Sequence, residues 1–205
     1  ALAGSFGWVV YTRCAGKAIA WNLPRAHARG PRVLFLDADV GFAPEAFARL
    51  LATLDAAPDA VLASARTTCA PRPGWFERVM AAPYRVSFPN LSPQLYATRL
   101  AALPAPMPQD LIEPEPWLEL TIGRARVVRA PGVTVAVRLP GTLRDFFRQR
   151  IRIEMGKVQI ARVYPGLSAR GEPQPGVRAV AASIDPANGL ALAARRAAAP
   201  REHLR

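Results

Sequence analysis

The chain is poor in side chains that bind metals through sulfur or nitrogen. It has two cysteines, Cys14 and Cys69, and two histidines, His27 and His203. The cysteines are far apart and form no C-x-x-C pair, so the sequence predicts neither a disulfide framework nor a zinc site. Two free thiols in a reducing cytoplasm are the expected state of these residues.

Lysine and aromatic residues are also scarce. Lys17 and Lys157 are the only lysines among 27 basic side chains, and aromatic residues make up 8% of the chain. The formal net charge of +12 favours anionic partners such as phosphorylated ligands or acidic lipid. No helix-turn-helix, zinc finger or aromatic-and-basic sheet motif is present, so no specific nucleic-acid partner is expected. A non-specific polyanion binder is an alternative.

Long apolar runs are absent as well. Hydrophobic residues make up 51% of the 205 residues, yet no stretch approaches the roughly 18 to 20 continuous apolar residues of a membrane span. The opening ALAGSFGWVVYTR has no basic segment followed by an apolar one, so no signal peptide is expected. One core domain is predicted over 1–163, and the Pro-, Gly-, Ala- and Arg-rich residues 164–205 are predicted to be a poorly ordered tail.

Strand and helix patterns alternate over the first third of the chain. Predicted strands are 7–12, 33–37 and 59–65; predicted helices are 16–30, with a kink or break at Pro24, and 43–54. The apolar run at 33–37 is typical of a strand that is covered on both faces in a parallel sheet. Strand, helix, strand with short connections is the βαβ pattern, so an α/β fold is expected.

More elements follow a proline-rich stretch at 66–116. They are a short strand with a helical turn within 93–103, a short helix around Trp117, two strands at 126–129 and 133–137, and a helix at 142–156. Thr142 and Asp145 are spaced as an N-terminal capping box for the last helix. This helix mixes apolar and basic residues, which predicts either contact with an anionic membrane surface or cover for the domain's own sheet.

The stretch VLFLDADV, residues 33–40, ends an apolar strand in two acids, Asp37 and Asp39. Ligands of open α/β sheets bind outside the carboxyl ends of strands, and strand residues two apart point to the same side. Two adjacent carboxylates repel unless a cation joins them, and Mg²⁺ or Mn²⁺ prefers oxygen ligands and substrate phosphates. The motif therefore predicts a metal–diphosphate site. An ordinary strand-end turn, or an aspartate that caps the next helix, is the alternative.

Phosphohydrolases of the haloacid dehalogenase class also place D-x-D after an apolar strand. Their pattern has Thr or Val two residues after the second Asp, where this chain has Gly41. Their later acidic pair has no clear counterpart here. A phosphohydrolase is therefore the less favoured alternative.

Motifs on either side of the two acids favour a different enzyme class. Gly16-Lys17 is not a P-loop, because Ala18 replaces Ser or Thr. However, GKAIAWN (16–22), helix, strand and DAD closely resemble the family 2 glycosyltransferases of the GT-A fold. LSPQLYATRLAAL is similar to the family's acceptor-cleft segment, and PQDLIEPEPWLEL is similar to its general-base segment. The segment that starts with RVVRAP and ends with IRIEMG is similar to the family's closing strands and Q-x-x-R-W helix. The resemblance covers roughly residues 8–165.

The resemblance implies a GT-A-like, Rossmann-type mixed sheet flanked by helices. It implies inverting, metal-dependent transfer of a sugar from a nucleotide-sugar donor, with UDP as the expected nucleotide, to a sugar or lipid-linked acceptor. The implied donor-binding residues are Lys17, Asn22, Asp37, Asp39, Gln149, Arg150 and Arg152, with Mg²⁺ or Mn²⁺ held by Asp39 and Asp37. The implied general base is Glu115, followed by Asp110 and then Glu113.

Simpler roles remain open for several of these residues. Lys17 is alternatively a solvated lysine at a helix start, and Asn22 a helix-packing residue. The two arginines are alternatively part of a solvated helix face with Asp145 and Glu154.

The sequence also departs from the family pattern. Ile153 replaces the Trp of the Q-x-x-R-W motif, which disfavours a polysaccharide synthase. The family's first strand, whose acid reads the nucleobase, has no counterpart, and no membrane helices follow the last helix. A core clipped at one or both ends is therefore expected, with an inactive remnant that acts as a binding module as the alternative. The expected location is cytoplasmic, with peripheral contact to the inner face of the cell membrane.

Overall fold

A computed structural model describes residues 16–69, Ala81, Tyr84 and residues 91–168. The strand predicted at 7–12 and residues 169–205 of the predicted tail lie outside them, as do Cys14 and His203. The strands are β1 Arg32–Leu36, β2 Gly41–Phe42, β3 Leu62–Cys69, β4 Leu95–Arg99 and β5 Val127–Val137. The helices are α1 Lys17–His27, α2 Ala46–Ala56, α3 Pro114–Ile122, α4 Leu143–Val163 and α5 Pro165–Ser168, with short 3-10 helices at Leu100–Ala102 and Arg124–Arg126.

The strands form one mixed sheet in the order β1-β4-β3-β5-β2. β3 and β5 are parallel, whereas β4 runs antiparallel to both β1 and β3, and β2 runs antiparallel to β5. β1 and β3 therefore point in the same direction, as the βαβ pattern predicts, but β4 lies between them. The predicted α/β class, with a mixed sheet flanked by helices, is confirmed.

Two local predictions about the strands were wrong. The strand to which β1 pairs is the antiparallel β4, not a parallel neighbour, and Arg32 and Leu36 at its ends are exposed. The two strands predicted at 126–129 and 133–137 form the single strand β5. Its register against β3 shifts around Pro131-Gly132, where Gly132 has φ 69°. The proline and glycine that suggested a break instead form a bulge, because glycine accepts a positive φ.

Both faces of the sheet are apolar, since side chains alternate along each strand. On one face, buried Leu62 packs with Trp21 of α1 and Leu118 of α3. On the other face, buried Ala63 packs with Leu50 of α2. The sheet is therefore the middle layer, and α1 and α3, which carry Lys17 and Glu115, lie on the same face.

The predicted helix near the end of the core begins with the expected cap. The Asp145 N–H donates to Thr142 Oγ1 at 3.1 Å, and the Thr142 hydroxyl donates to Asp145 Oδ2 at 2.7 Å. The helix continues to Val163, seven residues beyond its predicted end at 156. Pro24 lies inside α1 and does not end that helix.

The last described helices adjoin the predicted boundary between core and tail. α4 ends at Val163, and α5 occupies the first residues of the predicted tail. The division of the chain into 1–163 and 164–205 stays a prediction. Among the helices of residues 16–69 and 91–168, none has both the length and the apolar character that a membrane span requires.

Candidate functional site

The two acids of VLFLDADV lie where β1 gives way to a turn. The Asp37 N–H donates to the Gln94 carbonyl at 2.9 Å, which continues the pairing with β4 one residue past Leu36. Ala38 and Asp39 form a turn, and Asp39 is exposed. Asp37 is thus fixed through its main chain, while Asp39 belongs to the turn that follows.

Lys17 joins Asp37 to a third candidate residue, Glu115. Its Nζ lies 3.3 Å from Asp37 Oδ1, 3.3 Å from Asp37 Oδ2 and 2.5 Å from Glu115 Oε1. Glu115 lies in the first turn of α3, and its side chain is only 10% exposed. Three residues predicted from separate motifs therefore lie together at the carboxyl end of β1. They are the lysine of GKA, the first acid of D-x-D and the first-ranked general base.

The electrostatics of Lys17 follow from this arrangement. Burial alone lowers the pKa of Lys17, because it penalises the charged form. The carboxylates of Glu115 and Asp37 outweigh that effect and raise the pKa of Lys17 above its ordinary value of 10.5. Lys17 is therefore charged throughout the neutral range, and its single charge is shared by two acids.

An aromatic stack supports this site from the sheet side. Trp21 of α1 stacks on Phe35 of β1 with centroids 5.1 Å apart, and Phe35 stacks on Tyr96 of β4 at 5.0 Å. Trp21 Nε1 donates to the Tyr96 hydroxyl at 2.7 Å, and burial raises the pKa of Tyr96. The stack fixes α1 one turn after Lys17 and β1 two residues before Asp37. These rings were not among the predicted site residues; Trp21, four residues after Lys17, was the available signal.

A polar group next to Asp37 was also missed. Thr67 Oγ1 donates to Gln94 Oε1 at 2.7 Å and lies 2.6 Å from Ser92 Oγ, and Ser92 Oγ donates to Gln94 Oε1 at 3.2 Å. The Ser92 N–H donates to Ser64 Oγ at 2.7 Å. Since the Gln94 carbonyl also binds the Asp37 N–H, Gln94 links this group to the end of β1. Its position before a predicted strand, in the segment assigned to the acceptor cleft, was the only sequence signal.

Asn22, from the same motif as Lys17, makes different contacts. Its Nδ2 donates to the Met107 carbonyl at 2.7 Å, and its Oδ1 accepts from the Met107 N–H at 2.9 Å. Both ends of the amide thus hold the main chain of Met107. This geometry favours the packing interpretation of Asn22 over a contact with the donor.

The two other candidate bases are held by α4. Glu113 Oε1 lies 3.1 Å from Arg152 Nε. Burial raises the pKa of Glu113, Arg152 opposes that rise, and the Glu115 charge adds to it. Asp110 is exposed, and its carbonyl accepts from Gln159 Nε2 at 2.8 Å. Of the three acids, Glu115 is the one that shares a cation with Asp37.

α4 lies close against the segment that carries these acids. Gln159 Oε1 accepts from the Ile112 N–H at 2.9 Å, so Gln159 binds the main chain on both sides of Leu111. A Cβ on Gly156 would lie 2.6 Å from Glu113 Cγ, so only glycine fits there without a shift. The helix therefore sets the position of residues 110–115.

The remaining predicted residues lie one to two turns earlier on α4. Arg152 pairs with Glu113, whereas Arg150 stacks over the Phe146 ring at 5.4 Å. Gln149 is half-buried on the same helix. Arg152 is thus the member of this set that contacts the segment of the candidate bases.

The carboxylate oxygens at the turn after β1 suit a hard divalent cation. In the described part of the chain, no group of three or more His, Cys, Asp or Glu side chains is close enough to hold a metal ion. Asp37 and Asp39 offer hard carboxylate oxygens. Such a pair suits Mg²⁺ or Mn²⁺ that completes its coordination with diphosphate oxygens and water, and it does not suit an ion held by protein ligands alone.

Known proteins resemble this chain in part of its sequence and in its fold. Residues 8–103 match the sequence model of glycosyl transferase family 2. Among solved structures, the chain resembles the mannosyltransferase PcManGT from Pyrobaculum calidifontis in complex with GDP-Man and Mn²⁺, with TM-score 0.57 and 24% identity. It also resembles mannosyl-3-phosphoglycerate synthase from Rubrobacter xylanophilus, with TM-score 0.53 and 17% identity. No curated protein is significantly similar to the chain in sequence.

The matches cover most of this chain but only part of each solved structure. The likeness covers 94% of this chain and 58% of the mannosyltransferase, and 85% of this chain and 63% of the synthase. At these identities it establishes the fold, and the chain spans about three fifths of each solved structure. The family match extends past β4 and includes Lys17, Asp37 and Asp39. Residues 8–103 are therefore similar to glycosyl transferase family 2, and the fold of the chain is that of these GT-A structures.

Proposed function

We propose that this chain transfers a sugar, with inversion, from a nucleotide-sugar donor to a hydroxyl acceptor in a reaction that depends on Mg²⁺ or Mn²⁺. The observation that carries the proposal is the meeting of Asp37, Lys17 and Glu115 at the carboxyl end of β1. Open α/β sheets bind their ligands outside this end of the strands. The family match supports glycosyl transfer as the chemistry.

Positive charge is needed where the diphosphate leaves. When bound, the divalent ion supplies that charge, and Asp37 and Asp39 are the side chains that would hold it. Lys17 adds to it, and α1 begins at Lys17 without a side-chain cap, so the N-terminus of the helix favours an anion there. Arg152, which is exposed on α4, is a further candidate for the diphosphate.

A base is needed on the acceptor side. In a direct displacement the acceptor hydroxyl attacks the anomeric carbon, its proton passes to the base, and the bond to the diphosphate breaks. Glu115 is the best candidate because it is largely buried and adjoins Asp37 through Lys17. Asp110 and Glu113 are the second and third candidates, since the first is exposed and the second pairs with Arg152.

Two nucleotides, UDP and GDP, are candidates for the nucleotide part of the donor. The family resemblance favours UDP, whereas the similar mannosyltransferase structure contains GDP-Man. Both donors carry the diphosphate that Asp37, Asp39 and Lys17 are proposed to serve.

Calorimetric titration of UDP and GDP, with and without Mn²⁺, tests the donor site. At least one nucleotide is expected to bind only when Mn²⁺ is present. Asp37→Asn and Asp39→Asn are each expected to weaken that binding about tenfold or more, because each replaces a charged carboxylate ligand of the ion with a neutral amide.

Asp55→Asn is the matched control for these variants. Asp55 is an aspartate on α2 that pairs with Arg32 at 2.8 Å, and this substitution is expected to leave nucleotide binding unchanged. No binding of either nucleotide under any condition would contradict the proposal and favour an inactive binding module. Binding that needs no metal and survives both site substitutions would contradict the assigned residues.

The acceptor side of the proposal includes contact with a membrane surface. An apolar stripe on α4 consists of Leu143, Phe147, Ile151, Met155 and Val158, each about half exposed. Basic residues of the helix lie among and beside them: Arg144, Arg148, Arg150, Arg152, Lys157 and Arg162. An exposed apolar stripe with basic neighbours suits an anionic lipid surface.

Sedimentation with lipid vesicles tests this contact. The protein is expected to bind phosphatidylserine-containing vesicles, and Phe147→Ser with Ile151→Ser is expected to weaken binding about tenfold or more, since each removes a half-exposed apolar side chain. Leu36→Ser, which removes an exposed leucine on β1, is the control and is expected to bind as the wild type does. Equal binding of the double variant would exclude the stripe as the contact.

A further inference from the structure

We infer that Lys17 is an exchangeable counter-ion of the donor site. Its ammonium holds Asp37 and Glu115 while the donor is absent, and it moves to the donor diphosphate when the divalent ion takes Asp37. This inference rests on the proposed function and assigns to Lys17 control over when the metal binds.

The contacts of Lys17 favour such an exchange. Its Nζ lies 3.3 Å from both carboxylate oxygens of Asp37, so it occupies the side of the carboxylate where a cation would bind. Mg²⁺ binds oxygen at about 2.0–2.1 Å. An ammonium and a divalent ion on the two oxygens of one carboxylate would lie close together and repel each other. Each cation therefore weakens the binding of the other to Asp37.

Lys17 is the partner that is free to move. Its side chain is 42% exposed and sits on a flexible four-carbon stem, at the first residue of α1. Asp37 is held through its main chain by Gln94, and the Glu115 side chain is 10% exposed in the first turn of α3. The ammonium can thus shift toward an arriving anion while both carboxylates stay in place.

Two consequences follow for the order of events. Without a nucleotide, Lys17 competes with the metal for Asp37, so the ion binds tightly only together with a diphosphate that attracts the lysine away. When Lys17 leaves, Glu115 Oε1 loses a contact of 2.5 Å and becomes free to accept the acceptor's proton. The base is therefore released only after the donor has bound.

Titration of Mn²⁺ followed by electron paramagnetic resonance tests the exchange without turnover. In the absence of nucleotide, Lys17→Met is expected to bind Mn²⁺ about three- to tenfold more tightly than the wild type, because it removes a competing charge. With Mn²⁺ present, the same variant is expected to bind UDP or GDP about tenfold more weakly. Opposite changes in the two affinities are what a purely structural lysine would not produce.

Two further variants make the outcome decisive. Arg32→Met removes another exposed cation, which pairs with Asp55 at 2.8 Å, and is expected to change neither affinity. Lys17→Met combined with Asp37→Asn is expected to lose the gain in Mn²⁺ affinity, which locates the ion at Asp37. Thermal unfolding of each variant verifies that it is folded.

The results separate this inference from the proposed function. Unchanged or weaker Mn²⁺ binding by Lys17→Met overturns the exchange, as does a gain that persists in the double variant. A wild-type protein that binds neither UDP nor GDP with Mn²⁺ contradicts the proposed function instead. The Mn²⁺ titrations without nucleotide still report in that case whether Lys17 competes for Asp37.

Discussion

Replacing Glu115 with Gln is expected to lower kcat for sugar transfer by about 10²- to 10⁴-fold, the range that a positioned general base contributes. Glutamine keeps the size of the side chain but cannot take the acceptor's proton. Nucleotide affinity in the presence of Mn²⁺ is expected to stay the same or to rise, because glutamine holds Lys17 less tightly and the lysine leaves residue 115 when the donor binds. Release of UDP or GDP from the sugar donor measures turnover, and calorimetry measures affinity.

The two other acids of the segment provide the comparison for Glu115. Glu113→Gln is expected to cause a smaller loss of kcat, since it weakens the pair with Arg152 and shifts the segment only indirectly. Asp110→Asn is expected to cause the smallest loss, because α4 holds residue 110 by its carbonyl and the side chain is exposed. If either variant loses turnover while Glu115→Gln retains it, the base is that residue and not Glu115.

Replacing Gly156 with Ala is expected to lower the free energy of unfolding by about 1–3 kcal/mol, the usual cost of overpacking. The new Cβ would lie 2.6 Å from Glu113 Cγ and 2.7 Å from Glu113 Cβ, atoms too close to the main chain to move alone. In the interior of a helix, alanine is normally more favourable than glycine by about 1 kcal/mol. A loss of stability in this variant would therefore be caused by the contact with Glu113 and not by helix propensity. Urea unfolding measures the change.

Gly166→Ala is the matched control for this substitution. Gly166 is also helical, and a Cβ there would meet nothing within 4 Å, so this variant is expected to be as stable as the wild type or more so. Gly156→Ala is also expected to lower kcat, because Glu113 and residues beside it, including Glu115, would move with the helix. Wild-type stability and turnover in Gly156→Ala would refute the close seating of α4 on this segment.

The sequence determined most of the local structure. The apolar run of β1, the stripe of apolar residues on α2 and the Thr142 capping box each predict an element at its observed place. These signals are reliable because the period of apolar residues and the chemistry of caps act within a few residues. The strand and helical turn within 93–103 were predicted for the same reason.

The order of the strands was decided only by the tertiary structure. The βαβ pattern gave the directions of β1 and β3, but β4, which follows both in the chain, lies between them. Strand pairing depends on contacts between segments that are distant in the chain, and local sequence patterns do not encode those contacts. The Pro131-Gly132 step shows the same limit, since it reads locally as a break and is a bulge within paired β5.

The candidate site also separates what the sequence determines from what only the tertiary structure decides. The sequence by itself singled out Lys17, Asp37 and Glu115, because each residue type suits a step of the predicted chemistry. Only the folded chain brings Lys17 Nζ to 2.5 Å from one carboxylate and 3.3 Å from the other, and turns Asn22, in the same short motif, toward Met107. The sequence determines which residue types are present. Which carboxylates contact the Lys17 ammonium depends on how α1 and α3 pack on the face of the sheet beside β1.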